Sequence, residues 1–354
     1  MKTKILPVSG AEDEEALSYA AQVLLRGGLV AFPTETVYGL GGNALDAQAA
    51  KKIYAAKGRP SDNPLIIHLS DAGDAGKYCE VTPLFERLTD VFSPGPLTLI
   101  LKKKACIPDE VTGGGDTVAV RIPADPIARR LIALAGVPIA APSANLSGHP
   151  SPTQARHVIK DLDGRIDVIL DGPDAQIGLE STVVKLDGED VCVLRPGGVT
   201  YEQLCACVGK EHVRIDRIVT EPVTADFQPL SPGMKYKHYA PKAQVILLAG
   251  EHGAVCAAMA ERKEQHGVGI LCYTEDLPLL AGENTLCLGS MAQKGDQAHA
   301  LFAALRAFDE TDVDVIYAPV PTTEGIGLAV YNRLMKAAGF CVEQISEISM
   351  TKEI

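Results

Sequence analysis

Lys57 and Arg59 stand one residue apart in the basic segment Lys57-Gly58-Arg59-Pro60, just ahead of the polar loop Ser61-Asp62-Asn63-Pro64 and an apolar strand, Leu65 to Leu69. A guanidinium grips paired oxygens and an ammonium supplies a compact point charge, so the two together suit a phosphorylated ligand. Upstream, the apolar strand Leu29 to Phe32 runs into Pro33-Thr34-Glu35-Thr36, whose hydroxyl and carboxylate groups gather at the strand's end. Gly39, Gly41 and Gly42 permit the tight turns or close backbone approach of a ligand loop. There is no P-loop of the GxxxxGKS or GxxxxGKT type and no GxGxxG, so a nucleotide has to be held outside the usual strand-loop-helix cradle. Farther on come the strand Thr117 to Ile122 with Arg121 in it, the pair Ser143-Ala144-Asn145, the strand opening Glu180-Ser181-Thr182, and the turn Arg195-Pro196-Gly197.

Taken singly, these residues have plainer explanations. Lys57 and Arg59 are also what a solvated helix end carries, favoured by the macrodipole. Arg121 is expensive to bury without an anionic partner, and an internal Asp or Glu would serve as well as a ligand. His68 ends an apolar strand, where a hydrogen-bonded core histidine is the common outcome, and Tyr38 reads as a core plug. Glu35 and Glu180 adjoin the candidate residues without diagnostic spacing and stay outside the set. Taken together and in this order, the K-x-R pair, the Arg121 strand, the S-x-N pair, the Glu180-Ser181-Thr182 strand and the Arg195 turn resemble the YrdC-like family of threonylcarbamoyl-adenylate synthases. The resemblance covers Ala11 to Ile215, and Ser231 to Ile354 is similar to the extra domain of the longer members.

The resemblance implies a nucleotidyltransferase that converts L-threonine, bicarbonate or carbon dioxide, and ATP to threonylcarbamoyl-adenylate and pyrophosphate. The threonine amine captures carbon dioxide as a carbamate, whose oxygen attacks the α-phosphate. That chemistry asks for positioning and charge neutralisation, with Mg²⁺ on the phosphates. By the same resemblance Lys57 and Arg59 are catalytic. Arg59, Asn63, Thr117, Ser143, Asn145, Ser151, Arg195 and Tyr239 contact ATP, and Thr36, His68, Arg121, Ala141 and Ser181 contact L-threonine, with Arg121 as carboxylate anchor. No protein-bound metal site is assigned. The product would pass to the transferase complex that modifies an adenosine of tRNA.

The elements that must position these groups alternate without a strict βαβ repeat. Strands are expected at Leu97 to Leu101, Pro138 to Ala141, Val168 to Asp171, Thr182 to Leu186 and Val191 to Arg195. Helices are expected at Asp13 to Arg26, Asp46 to Ala56, Pro126 to Ala135 and Thr153 to Leu162. This predicts an α/β fold, a twisted mixed sheet with surrounding helices and a concave face, over residues 1–217. Prolines 222, 229, 232 and 241 punctuate a linker over 218–243. Residues 244–354 alternate strands and helices as a smaller Rossmann-like parallel domain without a dinucleotide fingerprint. The segment Ser231 to Pro241 is rich in aromatic and cationic residues for a spacer, and reads as a lid that brings Tyr239, and less directly His238, to ATP.

The formal charge, 33 − 45 = −12, opposes broad nucleic-acid coating, so direct tRNA binding should be weak or absent. Apolar runs are too short to span a membrane, and the N-terminal residues do not form a signal peptide, so the expected location is the cytoplasm. Nine cysteines without a C-x-x-C pair suit reduced thiols, and Cys205-x-Cys207 reads as two core residues of one element. Two competing readings are an RNA-binding module and an adenylating domain for another carbamoylated substrate. The absence of paired C-x-x-C motifs, which accompany the related domains of hydrogenase maturation, favours the threonine enzyme.

Overall fold

The computed structural model of the chain describes residues 2–222, 229–232 and 239–346. The backbone divides into two compact units, residues 1–236 and 237–354. The first unit is built on strands β1 (Lys4–Pro7), β2 (Val30–Phe32), β3 (Gly39–Asn43), β4 (Ile66–His68), β5 (Leu97–Lys102), β6 (Thr117–Arg121), β7 (Ile139–Ala140), β8 (Val168–Asp171), β9 (Thr182–Asp187), β10 (Asp190–Arg195) and β11 (Val213–Ile215). They form one sheet in the order β1-β8-β2-β3-β7-β4-β6-β5-β9-β10-β11. The sheet is mixed, as expected: β4 runs antiparallel to β7 but parallel to β6, and β5 runs antiparallel to β6 but parallel to β9.

Successive side chains of a strand point to opposite faces. On one face Leu65, Ile67, Leu99, Val118, Val120, Val184 and Val193 join the main core. The other face carries Ile66, Ile100, Ala119, Val183, Cys192 and Leu194, with Ile218 and Leu230 packed against them. His68, Thr98, Thr117 and Arg121 share the parity of this second face. A register shift between Val193 and Arg195 sets Arg195 opposite Val183, re-aiming its side chain as β-bulges do.

Local signals explain the helices next to the site. The helix Ala47–Lys57 starts where Asp46 accepts a hydrogen bond from the Gln48 amide, and stops at Gly58 with φ 63°. That left-handed stop fixes Lys57 in the last turn and Arg59 just beyond it. The helix Pro126–Ala135 has Asp125 as its cap and Gly136 as its stop.

The Gly39–Gly42 reading needs correction. These residues form β3 instead of a ligand loop, and none has a positive φ. A Cβ on Gly41 would lie 2.8 Å from both Ile139 Cγ2 and Phe32 Cε1, so glycine is required by the packing of β3 among its neighbours. The strands β1 and β11 and the helices Pro83–Phe92 and Tyr201–Val208 are not among the expected elements, although Thr82 and Pro83 open the first helix and a Thr200–Gln203 capping box opens the second. Cys205 and Cys207 lie on the last of these, half-buried against the main core.

The second unit holds β12 (Gln244–Ala249), β13 (Val268–Cys272), β14 (Thr285–Cys287), β15 (Val315–Pro319) and β16 (Val342–Gln344). All its described pairings are parallel. The order β14-β13-β15-β12-β16 places β15 between β13 and β12, a different winding from the 3-2-1-4-5 order of dinucleotide-binding sheets.

Candidate active site

Topology divides the candidate residues between the two ends of β4. Because β4 and β7 are antiparallel, the start of one meets the end of the other, and the Ala141 amide bonds the Ile66 carbonyl at 2.8 Å. The loop after helix Ala47–Lys57 therefore meets Ser143 and Asn145. Lys57 is buried, and its ammonium donates to the Ser143 carbonyl at 2.6 Å and to the Asn145 carbonyl. The solvated-helix-end reading is thereby excluded. Arg59, also buried, donates through Nη2 to the carbonyls of Asn63 and Pro64, both at 3.1 Å. The Ser143 hydroxyl donates to Asn145 Oδ1. Since β6 is parallel to β4 with Ala119 opposite Ile66, Thr117 falls at this same end.

The other end of β4 gathers a second set. His68 and Arg121 are register partners, and Arg121 is in turn opposite Thr98 of β5. The Thr98 hydroxyl lies 2.7 Å from that of Ser181, whose carbonyl accepts from Arg195 Nε at 3.1 Å and Nη2 at 3.0 Å. Ser151 donates to Glu180 beside it. Ser151 and Arg195, read as ATP contacts, thus cluster around Ser181, a residue read as a threonine contact. Thr36 is fully buried, with its hydroxyl 2.8 Å from that of Thr34.

Arg121 has the internal partner that its burial demanded: Nη2 donates to Glu35 Oε1 at 2.6 Å. Burial pushes the Glu35 carboxyl up, but the Arg121 charge and the hydrogen bonds from Arg121 and backbone amides outweigh it and hold the group below its usual value. His68 Nδ1 lies 3.1 Å from the Ile66 carbonyl and its ring meets Phe32 edge-on. Burial, reinforced by Arg121, pulls its pKa down to about 3, so the imidazole is neutral. Tyr38 is the core plug that the sequence suggested, its hydroxyl donating to the Gly172 carbonyl.

Among the described residues of the first unit, the buried side-chain polar atoms without a hydrogen-bond partner belong to three residues: both amide atoms of Asn63, Nε of Arg121 and Oγ of Ser231. Such atoms cost about 1–3 kcal/mol each in a finished interior. Ser231 was not among the candidates. Its neighbour Pro232 accepts from Arg195 Nη1 at 3.0 Å, so residues 229–232 lie on the first unit. Residues 233–238, including His238, fall outside the described residues. Tyr239 belongs to the second unit, where its ring stacks on Phe302 at 5.2 Å with the Arg333 guanidinium 5.4 Å from its centroid.

Residues 22–197 match the family model described as telomere recombination, which covers Sua5, YciO and YrdC, and residues 199–339 match that of the threonylcarbamoyl-AMP synthase C-terminal domain. Threonylcarbamoyl-AMP synthase of Bacillus subtilis is 45% identical over 96% of this chain and 99% of its own length. That of Pyrococcus abyssi is 44% identical over 97% of this chain and 100% of its own. The chain belongs to the threonylcarbamoyl-AMP synthase family. The crystal structure of P. abyssi Sua5 complexed with L-threonine superposes with a TM-score of 0.89, at 43% identity over 97% of this chain and 100% of that one.

Threonylcarbamoyl-AMP synthases are adenylyl-transferring enzymes, and the two family models cover both units here. The model of the synthase C-terminal domain begins at residue 199, so it takes in the helix Tyr201–Val208 and β11, which in this synthase complete the sheet of the first unit. Thr98 escaped the sequence reading because a lone threonine in an apolar strand carries no signal, whereas Thr34 lies in the polar Pro33-Thr34-Glu35-Thr36 turn and was not singled out from it. Only the pairing of β5 with β6 and β9 shows that Thr98 stands between Arg121 and Ser181.

Proposed function

We propose that this chain condenses L-threonine, bicarbonate or carbon dioxide, and Mg-ATP to threonylcarbamoyl-adenylate and pyrophosphate, with the nucleotide at the start of β4 and threonine at its end. The observation that carries the reading is the set of unsatisfied atoms. They belong to Asn63 at one end, Arg121 at the other, and Ser231 in the segment that meets Arg195. An amide with free donor and acceptor suits the mixed polarity of a nucleotide, and a guanidinium Nε–H suits a carboxylate.

The separation fits the chemistry. Ile66 and His68 are two residues apart, about 7 Å along the strand. Substrates laid along β4 bring the carbamate formed on the threonine amine against the α-phosphate. Arg59, with Lys57 held among carbonyl dipoles, offsets the charge that moves onto the leaving pyrophosphate. Arg121 anchors the carboxylate while Glu35 keeps the guanidinium oriented. Thr36, Ser181 and the neutral His68 shape the side-chain pocket, Ala141, bonded to Ile66 at the start of β4, lies toward the nucleotide, and Thr117, Ser143, Asn145 and Ser151 complete the polar lining. His68 contributes a ring and no proton at neutral pH.

Ser231 and Pro232, which Arg195 receives, shield this end of the site, because carbamates and mixed anhydrides are lost to water. The reaction runs in the cytoplasm, and a tRNA-modifying transferase consumes the product. The test is pyrophosphate release from Mg-ATP, L-threonine and bicarbonate with each omitted in turn, and identification of the adenylate by mass. Release without bicarbonate would make the chain an ordinary amino-acid adenylating enzyme and overturn the proposal.

A further inference from the structure

His252, Cys256 and Asp276 of the second unit are not among the groups assigned to substrate. The helix His252–Arg262 sets His252 and Cys256 four residues apart on one face, and the turn Thr274–Asp276 carries the third. His252 Nε2 lies 2.8 Å from Asp276 Oδ1, while Cys256 Sγ lies 3.3 Å from the same oxygen and 3.5 Å from Nε2. Among the described residues this is the one group of His, Cys, Asp or Glu side chains whose donor atoms converge in this way.

We propose that His252, Cys256 and Asp276 form a site for a thiophilic divalent cation of the zinc type, with a fourth coordination position open to water. Zinc bonds of about 2.3 Å to sulfur, 2.05 Å to imidazole nitrogen and 2.0 Å to carboxylate oxygen at tetrahedral angles require donor separations of about 3.6 Å (S to N), 3.5 Å (S to O) and 3.3 Å (N to O). The triangle found here has edges of 3.5, 3.3 and 2.8 Å. The first two edges need to open by only about 0.1–0.2 Å and the third by about half an ångström, as a hydrogen bond gives way to ligation.

The surroundings fit a ligand set. The Tyr273 amide donates to Asp276 Oδ2 at 3.1 Å, which leaves Oδ1 turned toward the helix, as outer-shell donors orient a metal carboxylate. Asp276 and Cys256 are buried, whereas the His252 side chain is 40% exposed, which provides an entry path. A thiolate and a carboxylate balance the two positive charges. Binding displaces the proton that Cys256 donates to Oδ1 into solvent, and the imidazole proton moves from Nε2 to Nδ1, so one proton leaves per ion. Sulfur and imidazole donors select zinc or cobalt over Mg²⁺, which separates this site from any metal carried on ATP.

The experiment is titration of the full-length, chelator-treated chain with Co²⁺. One tetrahedral site per chain is expected, with visible d–d bands and a sulfur-to-cobalt charge-transfer band, both displaced by Zn²⁺. Cys256→Ser should abolish the charge-transfer band, and His252→Ala, at a half-exposed position, should weaken cobalt binding at least 10-fold. No tetrahedral spectrum would overturn the proposal. A spectrum and affinity unchanged in His252→Ala would also overturn it, since the ion would then sit on others of the nine thiols. The His252 variant decides the matter alone if Cys256→Ser does not fold.

Discussion

The buried pair of Arg121 and Glu35 has two separable duties, and a double-variant cycle divides them. Both side chains are under 10% exposed and joined at 2.6 Å. Arg121→Met leaves the Glu35 carboxylate buried without its cation, which costs about 3–5 kcal/mol. For a unit of this size each kcal/mol moves Tm by about 2–4 °C, so the melting transition of the first unit should fall by about 6–20 °C. Adding Glu35→Gln removes the uncompensated charge and should restore most of that loss, since replacing both members of a buried pair is often near neutral. The restored double variant still lacks the guanidinium, so the KM for threonine in the pyrophosphate-release assay should stay raised at least 10-fold while that for ATP moves little. A double variant with recovered Tm and an unchanged threonine KM would show that Arg121 serves only the ion pair and would refute the anchor.

Asn63→Leu replaces an amide that has no hydrogen bonds to lose, so Tm should hold or rise while the KM for ATP increases at least 10-fold; a clear loss of stability would show that the amide is satisfied within the fold. Lys57→Met leaves the Ser143 and Asn145 carbonyls without their donor, so calorimetry should show a loss of about 1–3 kcal/mol together with loss of Mg-ATP binding. His68 is held at about 3 by burial against an ordinary 6.5, so between these values the unfolded chain takes up a proton that the folded one refuses. Stability should therefore fall as pH drops from about 6.5 toward 3, and His68→Asn should flatten the upper part of that decline in thermal melts. The Glu35 carboxyl, held low, adds a loss in the same direction at lower pH, as the solution falls through its folded pKa. Gly41→Ala, with two contacts at 2.8 Å, should cost about 1–3 kcal/mol by overpacking and lower Tm without changing either KM.

What could be read in the sequence was what local rules determine. The helix Pro126–Ala135 announces itself with Asp125 and Pro126 before it and Gly136 after it, and β8 is a bare apolar run between polar residues. β3 hides because its glycines argue against a strand, and only the closeness of Phe32 and Ile139 shows why they are needed. Arg121 could be read as buried, but choosing between an internal acid and a ligand required the fold, which supplies Glu35 and still leaves Nε unsatisfied. The division of the site between the ends of β4 depends on one antiparallel and one parallel neighbour, a property of pairing that spacing does not encode. His252 and Cys256 show the spacing of two donors on one helical face, but Asp276, twenty residues on, joins them only through the turn at Thr274.

The sheet order also sets a timetable for synthesis. β1 pairs with β8, Lys4 opposite Val168, and β5 must wait for β9, so the N-terminal strands leave the ribosome with an open edge until more than half of the chain has been made. Ser181 arrives immediately ahead of β9, Arg195 follows at the end of β10, and Pro232, which Arg195 grips, emerges last among them. A nascent or truncated chain ending before residue 180 thus holds Lys57, Arg59 and Arg121 with β4 to β7 around them, but lacks Ser181, Arg195 and the strands β9 and β10 that carry the sheet past β5. Completion of the Arg121 end of the polar face, where Thr98 meets Ser181 and Arg195 meets Pro232, therefore belongs to the final stage of synthesis of the first unit.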